Sequence, residues 1–179
     1  MLESRRIQDL IIITLIATGL FSTALLAGNA KYYSDSIALV EFLEVDIVDI
    51  RASNIDPTNY SVNPSLSFIL NFKSPVDVDG EAYLAFIRVL ATLNQESIIY
   101  PSLLREFRFE EEDLYAGYDK NHTIGSDITV DKDKDILFGA YNSGNWNWSL
   151  TVRYTYSVLS SPSQFRRTIM FSYEGVTLL

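Results

Sequence analysis

The chain opens on a stretch in which polar positions nearly vanish. Leu10 to Ala27 (LIIITLIATGLFSTALLA) carries no charged side chain. As a helix rising about 1.5 Å per residue it reaches roughly 27 Å, close to the bilayer's hydrocarbon thickness of about 30 Å. Asp9 marks the inner edge, because an ionised carboxylate is costly in lipid, and Gly28 and Asn29 supply the outer interface. Arg5 and Arg6 precede the stretch and the first cation after it is Lys31. The positive-inside rule therefore predicts a cytoplasmic N-terminus and an extracytoplasmic C-terminus. A retained signal-anchor is favoured over two alternatives. A cleaved signal peptide usually has a shorter apolar core, although Gly28-Asn29-Ala30 would serve as a cleavage site. A buried core helix rarely runs uncharged for so long behind an arginine pair. The small residues of the stretch, Gly19 and Thr23 among them, read as ordinary membrane-helix composition.

After a short spacer, in which Tyr32 and Tyr33 suit the outer membrane interface, the pattern switches to period two. From Trp146 to Val158, Trp146, Trp148, Leu150, Val152, Tyr154, Tyr156 and Val158 share one face and polar residues the other, which predicts a strand with one face in a core and one in water. Ser65 to Lys73 repeats this, with Leu66, Phe68, Leu70 and Phe72 inward. Val40 to Ile50 alternates with one slip, which predicts a bulge. Phe165 to Tyr173 alternates too, with Arg167 out of character. Glu81 to Asn94 fits neither period cleanly and is read as a strand from its surroundings. Glu106 to Phe109, Asp127 to Val130 and Asp135 to Tyr141 are shorter strand candidates. Turn signals fall at Asn54–Pro64, Asp77–Gly80, Gly117–Gly125, Asn142–Gly144 and Ser160–Ser163. Seven or eight strands in one domain-sized segment predict two packed sheets. The organisation expected is a cytoplasmic N-terminus over 1–9, a transmembrane helix over 10–28, a spacer over 29–39 and an extracytoplasmic domain over 40–179. The fold class is mainly β: a single N-terminal transmembrane helix followed by an immunoglobulin-like two-sheet β-sandwich.

Composition narrows the function. There are no cysteines and a single histidine, His122, which removes disulfides, thiolate zinc sites and a cysteine nucleophile, and leaves too few histidines for a histidine-rich metal site. The formal charge of -9 falls beyond residue 30, because Glu3 and Asp9 offset Arg5 and Arg6. An acidic surface repels phosphates, which argues against nucleic acid as a partner. The partners expected are membrane lipid, through residues 10–28, and another membrane or cell-surface protein.

Candidate chemistry is sparse. Asp131, Asp133 and Asp135 would share one face of a strand, and close carboxylates suit a calcium ion. However, Ile136 stands where a calcium loop needs glycine, so a solvated charged edge is the plainer reading. The acids Glu110 to Asp113 read as a solvated loop, as does the acidic turn at Asp77, Asp79 and Glu81. His122 lies in a loop-like context, and no nucleophile-elbow sequence surrounds any serine. No catalytic residue and no cofactor is expected. Asn59, Asn121 and Asn147 head Asn-X-Ser/Thr sequons and are candidate glycosylation sites, Asn59 and Asn121 in loops and Asn147 on the polar face of its strand. Trp146 and Trp148 could form a sugar-stacking platform, but their phase with Leu150 places them in the core.

Residues 40–100 and 126–178 resemble the late-embryogenesis-abundant type 2 family, also called the water-stress and hypersensitive-response domain. The resemblance is carried by Leu66 to Leu93 (LSFILNFKSPVDVDGEAYLAFIRVLATL), an alternating strand, a proline turn and a long strand that ends in the polar turn Asn94-Gln95-Glu96. Ser74-Pro75 stands where the family usually has Asn-Pro. The resemblance implies an immunoglobulin-like sandwich behind one membrane helix, no catalytic residues, and a role in membrane-proximal binding or stress protection. The function expected is a non-catalytic binding or scaffolding domain held outside the membrane. The alternative is a subunit or anchoring component of an archaeal pilus- or archaellum-type filament, whose proteins share the helix-then-sandwich plan.

Overall fold

The computed structural model describes residues 2–98, 103–108, 111–158 and 164–179. Phe109, Glu110 and the Ser160–Ser163 turn lie outside the described residues. One long helix, α1 (Leu2–Glu41), is followed by the strands β1 (Glu44–Ser53), β2 (Ser65–Lys73), β3 (Ala82–Leu93), β4 (Glu96–Ile98), β5 (Leu104–Glu106), β6 (Asp113–Leu114) and β7 (Asp119–Asp127). The helix α2 (Asp131–Ser143) and the strands β8 (Asn147–Val158), β9 (Gln164–Glu174) and β10 (Thr177–Leu178) complete the chain.

From Leu10 to Ala27 α1 is apolar on every side, and its side chains from Ile7 to Leu26 project away from the rest of the protein. It is long and apolar enough to cross a membrane. A helix that is hydrophobic all round needs an apolar surrounding. Three of its hydroxyls bond within the helix: Thr14, Thr18 and Thr23 each donate to the carbonyl four residues back at 2.8 Å, a pattern open to Ser and Thr side chains on any helix. The residues expected to form a spacer are helical instead. The turns after Ala30 find partners in the β domain: Ser36, Leu39 and Val40 are fully buried, and Tyr32 donates to Glu81 Oε2 at 2.7 Å. Tertiary packing of one helix face here overrides the spacer-like composition.

The strands form two sheets. One has the order β10-β1-β2-β7. The other has the order β4-β3-β8-β9, with β5 and β6 also pairing to β3. The predicted slip in β1 is a register shift between Ile47 and Asp49 against β2. Leu66, Phe68, Leu70 and Phe72 are all fully buried on β2, as their phase requires. The ambiguous segment after Glu81 is the long strand β3. It ends in a two-residue hairpin, with Leu93 paired to Glu96 and positive φ at both Asn94 (51°) and Gln95 (70°), the backbone that matches strand twist. The sheets meet across one core, where Phe68 packs edge-to-face on Trp148 at 5.6 Å and Phe72 on Tyr154 at 5.5 Å. Trp146 and Trp148 are buried, in the core as their phase predicts.

Several local expectations are corrected. Asp135 to Tyr141 is part of helix α2, not a strand. Ile136, Leu137 and Ala140 share a buried helical face, Asp131 and Asp133 occupy the first turn where the helix dipole favours anions, and Gly144 ends the helix in the left-handed region at φ 69°. Gly117 to Gly125 is not one long turn: β7 starts at Asp119 and pairs along the whole of β2, from Lys73–Asp119 to Ser65–Asp127. The polar face of β8 is also covered near its end, where Thr155 and Ser157 are buried close to the start of β3, against which α1 is seated.

Candidate functional site

Where the predicted site residues lie decides what they can do. Asp131, Asp133 and Asp135 do not share a strand face. On α2 they splay around the first turns: Asp131 and Asp135 face solvent and Asp133 is buried. Asp135 accepts the Tyr60 hydroxyl. The buried Lys134 donates to the Tyr60 carbonyl at 2.6 Å and lies 3.9 Å from Asp131. Asp135 and Lys134 thus tie α2 to the loop before β2. Among the described residues, no group of three or more acidic or histidine side chains is placed to hold a metal ion. Asn59 lies in an exposed turn. Asn121 is not in a loop but on β7, exposed, and accepts from Asn71 Nδ2 at 3.0 Å. Asn147 begins β8, exposed as expected.

His122 is not solvent-exposed. It sits on β7 with 2% of its surface exposed. Tyr118, His122 and Ile124 are buried at even positions along this segment, and the pairing of β7 with β2 turns His122 inward. The imidazole stacks on Tyr118 and meets Phe72 and Phe107 edge-on at 5.4 and 5.3 Å. Tyr118 Oη lies 2.8 Å from Glu112 Oε1 and 2.6 Å from His122 Nε2. Lys120 Nζ also reaches Glu112 Oε1, at 2.8 Å. Glu112 is therefore buried and bonded, not part of a solvated acidic loop.

The direction of the protons in this cluster follows from charge. Burial alone would raise the Glu112 pKa, but the hydrogen bonds from Lys120 and Tyr118 outweigh it and hold the carboxyl below its ordinary range. Glu112 is then an ionised acceptor, and the Tyr118 hydroxyl donates to it. Burial, seconded by that same carboxylate, raises the Tyr118 pKa. With its hydrogen spent on Glu112, the Tyr118 oxygen accepts from His122 Nε2–H. This fixes the neutral tautomer and leaves Nδ1 a bare acceptor, buried and without a hydrogen-bond partner. Burial lowers the His122 pKa to about 4, with Glu112 opposing and Arg105 and Lys120 assisting. The arrangement stores a neutral histidine inside the domain and offers no open face to a substrate.

The open polar feature lies at the other end. β3 begins, β8 ends and β9 begins beside α1, so the β3–β4 hairpin, the start of β8 and the end of β9 lie at the end remote from the helix. A cleft of about 380 Å³ opens there, lined by Asn94, Asn145, Asn147, Trp148, Tyr173 and Glu174 among others. Its amides are interlocked. Asn94 Nδ2 donates to the Asn145 carbonyl at 2.8 Å, the Asn147 N–H donates to Asn94 Oδ1 at 3.2 Å, and Asn147 Nδ2 donates to Asn145 Oδ1 at 2.7 Å. Trp148 forms the floor, its Nε1–H given to the Gly175 carbonyl at 3.1 Å. The cleft is a preformed surface of amides and hydroxyls with one carboxylate, suited to a neutral, hydrogen-bonding partner.

No protein-family model and no curated protein matches this sequence. Solved structures of similar shape include a protein from Archaeoglobus fulgidus, 7% identical, with 75% of this chain and 99% of that one covered at a TM-score of 0.45. The putative ApaA protein from Bordetella pertussis is 10% identical, with 75% and 93% covered at a TM-score of 0.42. A β-glucosidase from Kluyveromyces marxianus in complex with glucose is 14% identical, with 75% and 15% covered at a TM-score of 0.29.

Proposed function

We propose that the chain is a single-pass membrane protein whose β domain, read as an immunoglobulin-like sandwich, binds or scaffolds outside the cytoplasm without catalysis. The observation that carries this reading is the continuity of α1: exposed and apolar from Ile7 to Leu26, then buried in the β domain at Ser36, Leu39 and Val40. A helix built this way has one half made for lipid and one half made for the domain. The cleft beyond it faces away from the membrane and is the surface offered to a partner. The histidine, enclosed by Phe72 and Phe107 and bonded to Tyr118, supports a structural part for the one imidazole of the chain. The sequon residue Asn59, in an exposed turn, is the acceptor best placed for a glycan.

The test is protease added to intact cells or spheroplasts. Residues 31–179 are expected to be cut without breaking the membrane; their protection until lysis would overturn the orientation.

The filament reading is favoured by the same uninterrupted helix, since a helical stalk with a β head at one end can bundle by its apolar part. N-terminal sequencing of the membrane fraction separates the two. Retention of Leu10 to Ala27 behind the original N-terminus supports the anchor, a start at Ile7 supports the filament subunit, and a start near Lys31 would replace both with a secreted domain.

A further inference from the structure

β9 is a long, unbent edge strand. It pairs with β8 from Asn147–Glu174 to Ser157–Gln164 without a register shift, and it stands last in its sheet. Edge strands are normally kept short, bent by bulges or guarded by proline and charged side chains. β4 and β10 are short, and β7, the edge of the other sheet, carries Asp119, Lys120 and Asp127. β9 runs from Gln164 to Glu174 with no bulge and no proline; its charges, Arg166, Arg167 and Glu174, stand toward its two ends, and Met170 near its middle is 80% exposed. Its inward residues Ile169, Phe171 and Tyr173 are only partly buried.

The sequence of this strand is complementary to itself. In an antiparallel pair of two β9 strands centred on Met170, Arg166 stands opposite Glu174, Thr168 opposite Ser172, Met170 opposite Met170, and Ile169 opposite Phe171 on the inner face. Opposite charges, hydroxyls and apolar side chains are each matched across the strands, the pairs that stabilise a sheet. Moving the centre by one residue sets Arg166 against Ser172 and leaves both charges unmatched.

The geometry points to a second copy of this chain as the occupant of the β9 edge, paired antiparallel about Met170 and approaching from an opposing membrane. The opposed approach follows from the direction of β9. Its start lies beside the helix, where Arg167 Nη2 donates to the Glu41 carbonyl at 2.8 Å, and its end lies at the far cleft, where the Gly175 N–H bonds the Trp146 carbonyl. Antiparallel pairing sends the two α1 helices out at opposite ends, and it brings the partner's Arg166 to Glu174 at the rim of the cleft. The membrane part of this inference rests on the anchor proposed above; the strand pairing does not.

The chain has no cysteines, so single cysteines report the register directly. In the full chain purified in detergent, Met170→Cys is expected to form a disulfide dimer. Thr168→Cys mixed with Ser172→Cys is expected to cross-link, and neither is expected to do so alone, because equivalent residues there are about 13 Å apart and a disulfide spans at most about 7 Å. Pairing supplies an effective concentration of order millimolar, so Met170→Cys should oxidise at least about tenfold faster than Ser172→Cys alone. Equal rates would overturn the strand pairing. Vesicles carrying the full chain with the domain outward should then cluster. Arg166→Glu vesicles and Glu174→Arg vesicles should each stay dispersed, and the two populations mixed should cluster again, since each variant complements the other. Cross-linking in detergent without clustering of chain-loaded vesicles would overturn the opposed arrangement alone. Failure of the chain to enter vesicles would instead count against the anchor, with the detergent result still deciding the pairing.

Discussion

Gly80 and Ser36 meet backbone to backbone: a Cβ added to Gly80 would collide with the Ser36 amide nitrogen and Cα. Ser36 is fully buried, donates its hydroxyl to the Tyr32 carbonyl at 2.8 Å and accepts the Glu81 N–H at 3.1 Å. The approach of α1 to the start of β3 thus depends on the absence of one methyl group. Neither backbone can yield as a side chain would.

Gly80→Ala is therefore expected to unseat the last turns of α1 and to destabilise the domain by about 1–3 kcal/mol, the usual size of an overpacking penalty. Gly139→Ala on α2, where nothing lies within 4 Å of the added carbon, should be neutral or stabilising by up to about 1 kcal/mol from helix propensity. Thermal melts of the two variants in the same detergent check this. Equal effects would show that the Gly80 contact does not fix the helix.

Val152 on β8 is fully buried between its neighbours, whereas Thr151 is half-buried on the opposite face. Val152→Asp should unfold the domain, because a buried unpaired carboxylate costs several kcal/mol against a total stability of roughly 5–15 kcal/mol. Thr151→Asp should melt close to the parent. Circular dichroism and melts of both variants read the difference.

The His122 pocket predicts a loss of stability on mild acidification. The folded pKa of about 4 lies below the ordinary 6.5, so between these values the unfolded chain binds a proton that the folded chain refuses. Stability is then complete above pH 6.5 and falls as pH drops toward 4, by at most about 3 kcal/mol. Glu112, Lys120, Arg105 and Tyr118 all face the imidazole, but Glu112 contributes its own loss only below its ordinary 4.5. In His122→Phe the decline between pH 6.5 and 5 should disappear while the one at lower pH remains. Denaturant melts across this range decide it.

The same cluster separates a buried bond from an exposed one. Glu112→Leu leaves the Tyr118 hydroxyl buried without its acceptor and should cost about 1–3 kcal/mol. Lys120→Met removes a half-exposed cation, whose ion pair is worth about 1 kcal/mol or less. Melting the two variants at pH 7 should rank them in that order.

The long strands were legible because their phase and their burial agree. In β2 and β8 the apolar positions point to one core, and the slip in β1 showed as a break in alternation at Val48. The helix α2 was hidden by Asp131-Lys132-Asp133-Lys134-Asp135, whose charges alternate at the strand period while Ile136, Leu137 and Ala140 keep the helical one. β7 was hidden for another reason: DKNHTIGSD has the composition of a turn, and it is extended because β2 supplies a full-length ladder partner. The His122 cluster depends on which face of that strand turns inward, so it was lost with the strand. The far cleft joins residues near 94, 147 and 174, and only the pairing of β3, β8 and β9 brings them together.

The unbroken path of α1 from its apolar stretch to the β domain has a mechanical consequence. If Leu10 to Ala27 fill the hydrocarbon layer, Gly28 to Asp35 stand above it as about 12 Å of rigid rod at the helical rise. A flexible tether would let the β domain tumble over a wide cone. This rod fixes its height and its heading, so that a rotation of the helix among lipids turns the far cleft through the same angle.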